Sequence, residues 1–246
     1  MKRWISLFAV LALASPMASA SPATGAPRAV LLHTSDHVTV YGTFYPADHP
    51  KALILLFHQA GSSKAEYKTI APHLVQLGFS ALAIDQRSGG TLFGSNQTAS
   101  QFRGNAEFLD AGKDIEAAIS WGEAAKRPIL LWGSSYSAAL VFLEAASHPE
   151  VKAVLAFSPG EYLKAPSLVG DAAAHLRMPI FVTSASAPGE IAAGRAILAR
   201  APTDVKRQYV PRHGVHGSST LISDRDPAGA AENWAAVGAF LRDVIP

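Results

Sequence analysis

The chain has 246 residues, 49% of them hydrophobic and only 16% charged, with 21 basic and 19 acidic side chains. That size and balance suit one moderately large α/β domain with a substantial buried core, and they exclude a disordered chain. The absence of cysteine excludes disulfides, thiolate catalysis, thiolate metal sites and lipid attachment at cysteine.

In chain order, the first twenty residues come out as a secretory signal. Lys2 and Arg3 are followed by the apolar run ISLFAVLALA and by Ala18-Ser19-Ala20, an A-x-A cleavage site. The run is too short to span a bilayer, so cleavage after Ala20 is expected, with an uncleaved anchor as the alternative. Export to the periplasm or the medium follows, and a cysteine-free exported chain must rely on its core for stability. Removing Lys2 and Arg3 leaves 21 − 2 = 19 basic residues against 19 acidic ones. A neutral chain gives no electrostatic case for nucleic acid, or for a membrane surface after signal cleavage. Residues 21–28 (SPATGAPR) are expected to be a disordered leader, and 29–246 a single domain.

AVLLHTSD and HVTVYGTFYP alternate apolar and polar residues as two strands of an N-terminal antiparallel hairpin. ALILLFH (52–58) and FSALAID (79–85) are unbroken apolar runs, as strands covered on both faces require. Between them, Tyr67, Ile70, Leu74 and Leu77 predict a helix over 65–77. A Gly/Ser/Asn-rich loop leads to a helix over roughly 106–125. PILLWG, VKAVLAFS, PIFVTS and VKRQYV are further strands, alternating with helices in SAALVFLEAAS, EIAAGRAILAR and PAGAAENWAAVGAFLRDVI. This alternation predicts a doubly wound, mostly parallel sheet of eight strands with helices on both faces. The connection 159–177 is too short for a large cap domain.

Three serines, Ser134, Ser135 and Ser137, follow the strand PILLWG. A tight strand-to-helix turn can hold one of them as a nucleophile, but only if the residues two before and two after it are small. Ser134 has Trp132 two before it, which is too large, and Ser137 would already lie inside the helix. Ser135, flanked by Gly133 and Ser137, meets the requirement. The plainer alternative is that Ser134 and Ser135 cap the following helix.

Two other segments fall where such a serine would need them. HQAGSS (58–63) follows a buried strand and can aim a backbone N–H at the pocket. With the N–H of Tyr136, that of Ala60 would form an oxyanion hole, with Gln59 as the fallback donor. The alternative is an ordinary turn in which Ser62 or Ser63 caps the next helix, with His58 packed or orienting. PRHGVHGSSTL (211–221) offers His213 and His216 as general bases, and loop position favours His216. A zinc site from His58, His213 and His216 lacks a carboxylate at a recognised ligand spacing, so no metal is expected.

GSSYS, HQAGSS and VHGSS, each after a strand, together resemble the α/β-hydrolase fold, and among its branches the small, lid-poor dienelactone hydrolase-like group. ALAIDQRSGG resembles that family's strand-then-Asp-x-Arg turn, which makes Asp85 and Arg87 structural. The resemblance covers about residue 29 to the end. It implies a Ser–His–acid triad in the order nucleophile, acid, histidine, and Ser135 before His216 agrees. The family usually supplies Asp after the next-to-last strand, whereas here Pro188 stands near that place and Glu190 just beyond. Glu190 can hold the histidine with a longer reach. Its rival is Glu161, in FSPGEYL after the preceding strand, and Asp204 is a weaker candidate.

The expected activity is that of an exported serine hydrolase acting on a small or exposed carboxylic ester, without a cofactor. Leu92, Phe93 and Phe102 of the loop 88–104 are expected to line the acyl pocket. A binding protein that keeps the scaffold without turnover, and a peptidase using the same site, are the competing expectations. Sequence does not set the oligomeric state.

Overall fold

The computed structural model describes residues 25–246, so the expected signal segment 1–20 and residues 21–24 of the leader lie outside the described residues. The first strand opens at Arg28, one residue before the domain start expected from the sequence. Arg28 pairs with Phe44, and its guanidinium lies 4.8 Å from the Phe44 ring centre. No helix among the described residues is long and apolar enough to cross a membrane.

Eight strands form one sheet: β1 (Arg28–His33), β2 (Thr39–Tyr45), β3 (Leu53–Phe57), β4 (Ser80–Ile84), β5 (Ile129–Ser134), β6 (Val151–Phe157), β7 (Ile180–Thr183) and β8 (Lys206–Gln208). Their order is β1-β2-β4-β3-β5-β6-β7-β8. β1 and β2 pair antiparallel, β2 pairs antiparallel with β4, and every pair from β4 to β8 is parallel. The six helices are α1 (Ile70–Gln76), α2 (Gly112–Glu123), α3 (Tyr136–Ser147), α4 (Leu168–Ala173), α5 (Pro188–Arg200) and α6 (Ala230–Val244).

The unbroken apolar strands explain the two-sided core, because alternate residues of one strand feed opposite faces. Leu53, Leu55 and Phe57 pack with Leu131, Ile115 of α2 and Phe142 of α3 on one face. Ile54 and Leu56 pack with Trp132, Leu74 of α1 and Phe240 of α6 on the other. From β3 the chain crosses to β4 on one side, and it returns to β5 on the other. Ligand sites of doubly wound sheets lie at the strands' carboxyl ends beside such a reversal.

One expected helix is interrupted. Residues 65–77 form a 3-10 turn, Lys64–Tyr67, and then α1. Ser63 Oγ accepts the Ala65 N–H at 3.3 Å and caps the turn. Pro72, which has no N–H, lies in the first turn of α1, where none is needed. The helix expected over 106–125 likewise begins as a 3-10 turn, Phe108–Ala111, before α2.

Candidate active site

Ser135 sits between β5 and α3 with φ 60° and ψ −122°, in the left-handed half of backbone space that a non-glycine residue adopts only under constraint. The constraint is visible at Gly133: a Cβ there would lie 2.3 Å from the Ser137 carbonyl oxygen. Strand and helix backbones touch, which only glycine permits. The Ser135 N–H is anchored to the Phe157 carbonyl of β6 at 2.8 Å, and its half-buried side chain stands at the carboxyl end of the sheet.

The other two serines are consumed elsewhere. Ser134 is fully buried; its hydroxyl donates to Glu66 Oε1 at 2.7 Å and accepts the Ser218 N–H at 2.8 Å. Ser137 is buried too, and its hydroxyl lies 2.6 Å from the His58 carbonyl and 3.0 Å from Gln86 Oε1.

His216 Nε2 lies 2.8 Å from Ser135 Oγ, and His216 Nδ1 lies 3.0 Å from Glu190 Oε1. Glu190, in the first turn of α5, also accepts the Ala185 N–H at 3.1 Å, which fixes its reach toward the histidine. Each partner shifts the other. The hydrogen bond to His216 holds the Glu190 carboxyl down at about 2, against its burial. The hydrogen bond to Glu190 raises the His216 imidazole above its ordinary value, again against burial. Gly217, at φ 67°, lets the chain turn directly after the histidine; a Cβ there would meet Ser134 Oγ at 2.4 Å.

Glu161 is elsewhere. Its carboxylate accepts the Val169 and Gly170 N–H groups, both at 2.9 Å, and so caps the start of α4. Asp204 is exposed in the turn before β8, and His213 is exposed on its loop. His58 is fully buried. Its Nδ1 faces the Gln59 carbonyl at 2.8 Å and its Nε2 accepts the Gln86 N–H at 2.9 Å. Burial pushes its pKa down to about 4, so the ring is a neutral packing element. Among the described residues no three His, Asp or Glu side chains are grouped as a metal ion would need.

Of the two oxyanion donors proposed on the HQAGSS loop, the Gln59 N–H is already engaged, donating to Glu66 Oε2 at 3.0 Å. Ala60 shows no backbone partner among the described residues, and Tyr136, first in its helix, has no intrahelical acceptor. These two N–H groups remain available to a ligand oxygen. Ala60 also borders a cavity of about 670 Å³, lined mainly by Phe108, Leu109, Tyr162 and Leu163, with Glu107 and Lys164 at its rim.

Leu92, Phe93 and Phe102, expected from the sequence to line an acyl pocket, are not among the residues lining this cavity. The reason is the course of their loop, which folds back on the Gly61–Ser62 turn: Gly90 N–H donates to Ser62 O and Leu92 N–H to Gly61 O. Leu92 is left exposed, Phe93 lies under Arg225 and Phe102 near Arg87. The aromatic lining comes instead from the segments before α2 and α4. Glu66, buried behind the site, had no sequence signal either. It stands four residues before Ile70, at the edge of the Tyr67–Ile70–Leu74–Leu77 face, and a single glutamate beside an apolar face carries no sign that it is buried.

The family model described as "Serine aminopeptidase, S33" matches residues 48–209. No curated protein matches the chain. Among solved structures, a dienelactone hydrolase from Anabaena variabilis superposes with a TM-score of 0.71 at 18% identity, over 92% of this chain and 100% of that one. An esterase from Pyrococcus furiosus gives 0.69 at 17% identity, over 90% and 93%. A thermostable carboxyl esterase from Bacillus coagulans gives 0.68 at 13% identity, over 91% and 100%. At these identities the likeness is one of fold.

Proposed function

The chain belongs to the serine aminopeptidase, S33, family of α/β-hydrolases, and from that premise we propose that it is a serine hydrolase of small-molecule carboxylic esters. One observation carries the reading: the unbroken hydrogen-bonded path from Ser135 Oγ through His216 to Glu190. Ser135 Oγ attacks the ester carbonyl carbon while His216 Nε2 takes its proton. Glu190 holds Nδ1–H and stabilises the imidazolium. The Tyr136 and Ala60 N–H groups receive the oxyanion as it forms. The tetrahedral intermediate then expels the alkoxide, which leaves as alcohol with the proton from Nε2. Water, deprotonated by His216, attacks the acyl-Ser135 carbonyl carbon; the second tetrahedral intermediate collapses to the acid, and Ser135 Oγ leaves with the proton from Nε2.

The cavity beside Ala60 falls within the size range of small-molecule sites, and its apolar walls suit a medium-sized hydrophobic acyl or alcohol group. The family description favours a second reading, cleavage of an amide next to a free amino group. Such a substrate needs an unpaired acid for its ammonium. The acids that line the cavity, Glu107 and Asp110, are not buried and stand beside lysines, 2.6 Å from Lys164 and 3.6 Å from Lys113, so the lining offers no buried acid for that ammonium. Ester cleavage is therefore the preferred reading. Action outside the cytoplasm is part of the proposal and rests on the signal-like residues 1–20.

The test is a paired panel of nitrophenyl esters of graded acyl length and amino-acid nitroanilides. Turnover of short to medium esters with little nitroanilide release is expected. Preference for the nitroanilides would replace the ester reading with the peptidase one, and turnover of neither would leave a scaffold that binds without reacting.

A further inference from the structure

Resting on that hydrolase reading, we infer that Glu66 is a positioning residue: its buried carboxylate braces together the three loops that carry the oxyanion donor, the nucleophile and the base. Glu66 Oε2 accepts the N–H of Gln59, the residue before the proposed donor Ala60. Glu66 Oε1 accepts the hydroxyl of Ser134, the residue before Ser135. The same Ser134 oxygen accepts the N–H of Ser218, two residues after His216. Two further bonds close the brace. Trp132 Nε1 donates to Ser218 Oγ at 2.9 Å, and the Gln59 amide to Ser219 Oγ at 3.4 Å.

The Gln59 N–H serves only Oε2, and the Ser134 hydroxyl, holding the Ser218 N–H on one lone pair, can give its own proton to Oε1. With the protons so placed both Glu66 oxygens accept and the carboxylate is charged. Burial raises its pKa, and the hydrogen bonds from Gln59 and Ser134 oppose that rise. Glu66 is 1% exposed, and no Lys, Arg or His nitrogen lies within 4.0 Å of it among the described residues. Burying a carboxylate without a cation is costly, and only an acid offers two acceptor oxygens, one to the Gln59 N–H and one to the Ser134 hydroxyl.

The imidazolium that His216 becomes during turnover supplies what the resting site lacks. Glu190 and Glu66 are the acids whose charges act on His216, the first by contact and the second through space. The titratable groups sharing the shell of Glu66 are His216, Tyr67 and Tyr136. Glu66 thus holds the geometry and, without touching the reacting atoms, favours the charged base.

The experiment compares Glu66→Gln and Ser134→Ala with the wild type by ester kinetics across pH, fluorophosphonate inactivation and thermal melting. Both variants should lose about tenfold to a hundredfold in kcat with KM little changed, as expected for small displacements of reacting groups. Glu66→Gln should also move the acidic limb of kcat/KM to lower pH, because removing a negative charge favours the neutral imidazole. Ser134→Ala keeps that charge and should leave the limb in place; a merely structural role would not separate the variants in this way. A folded Glu66→Gln with wild-type kcat and an unmoved limb overturns the inference. If Glu66→Gln does not fold, wild-type kcat in Ser134→Ala overturns it. A wild type that neither turns over esters nor labels at Ser135 removes the hydrolase reading and this inference together, whereas an active wild type matched by both variants removes this inference alone.

Discussion

At the scale of single residues, the site separates groups of the same chemistry by what surrounds them. Glu190 and Glu161 are both carboxylates at the carboxyl ends of neighbouring strands, yet one meets His216 and the other caps α4. Their amides should therefore differ in kind. Glu190→Gln is expected to lower kcat on the order of 10³- to 10⁴-fold, since an amide can favour the wrong imidazole tautomer. Glu161→Gln should leave kcat near wild type and cost about 1 kcal/mol of stability, the usual value of a helix cap. Parallel kinetics and melting curves check both; equal losses of kcat would undo the distinction. That the strained turn falls at Ser135 rather than at Ser134 or Ser137 was legible because it depends on side-chain volume at Gly133 and Trp132, a property written in the residues. The burial of Glu66 was not, since a lone glutamate at the edge of an apolar helix face looks like any solvated one until its hydrogen-bond partners are placed.

At the scale of elements, the long apolar strands were readable and the irregular segments were not. β3 and β4 bury every residue, so their composition alone declares them. The loop 88–104 has no periodicity to follow, and its backbone pairing with residues 61–62 turns Phe93 and Phe102 toward arginines rather than the cavity. Phe108 and Tyr162 line the cavity beside Ala60. Substituting Leu109→Trp, which narrows the cavity from an exposed position, should shift ester preference toward shorter acyl chains without altering the melting temperature; an unchanged acyl-length profile would locate the acyl group elsewhere. The turns at either end of the site tolerate less. Gly133→Ala drives a Cβ into the Ser137 carbonyl, and overpacking of this kind costs about 1–3 kcal/mol, readable as a lowered unfolding midpoint. A midpoint equal to wild type would mean that strand and helix can separate there.

At the scale of the whole molecule, the His216–Glu190 pair links stability and activity to pH in different ways. Glu190 has a folded pKa lowered to about 2 from an ordinary 4.5, so its contribution to stability is present above 4.5 and is lost as pH falls toward 2. His216 is raised above an ordinary 6.5, so its contribution is present below 6.5 and is lost as pH rises through the folded value. The pair should stabilise the fold most between these limits, where the imidazole is protonated and cannot act as base. Activity should instead rise as pH passes the raised histidine value. Melting temperature and kcat/KM measured against pH should therefore peak apart, and the His216→Ala protein should lose the histidine-dependent part of the melting profile. Coincident peaks would contradict that linkage. In the proposed function the strand order, which reverses at β3 between β4 and β5, places Ser135 as a nucleophile at the sheet's carboxyl end. Labelling the folded protein with a fluorophosphonate, followed by mass spectrometry of the modified peptide, tests this most directly. One label per chain on Ser135 is expected, lost in Ser135→Ala and nearly lost in His216→Ala; absence of label on the folded wild type, or label that survives Ser135→Ala, would overturn the proposed nucleophile.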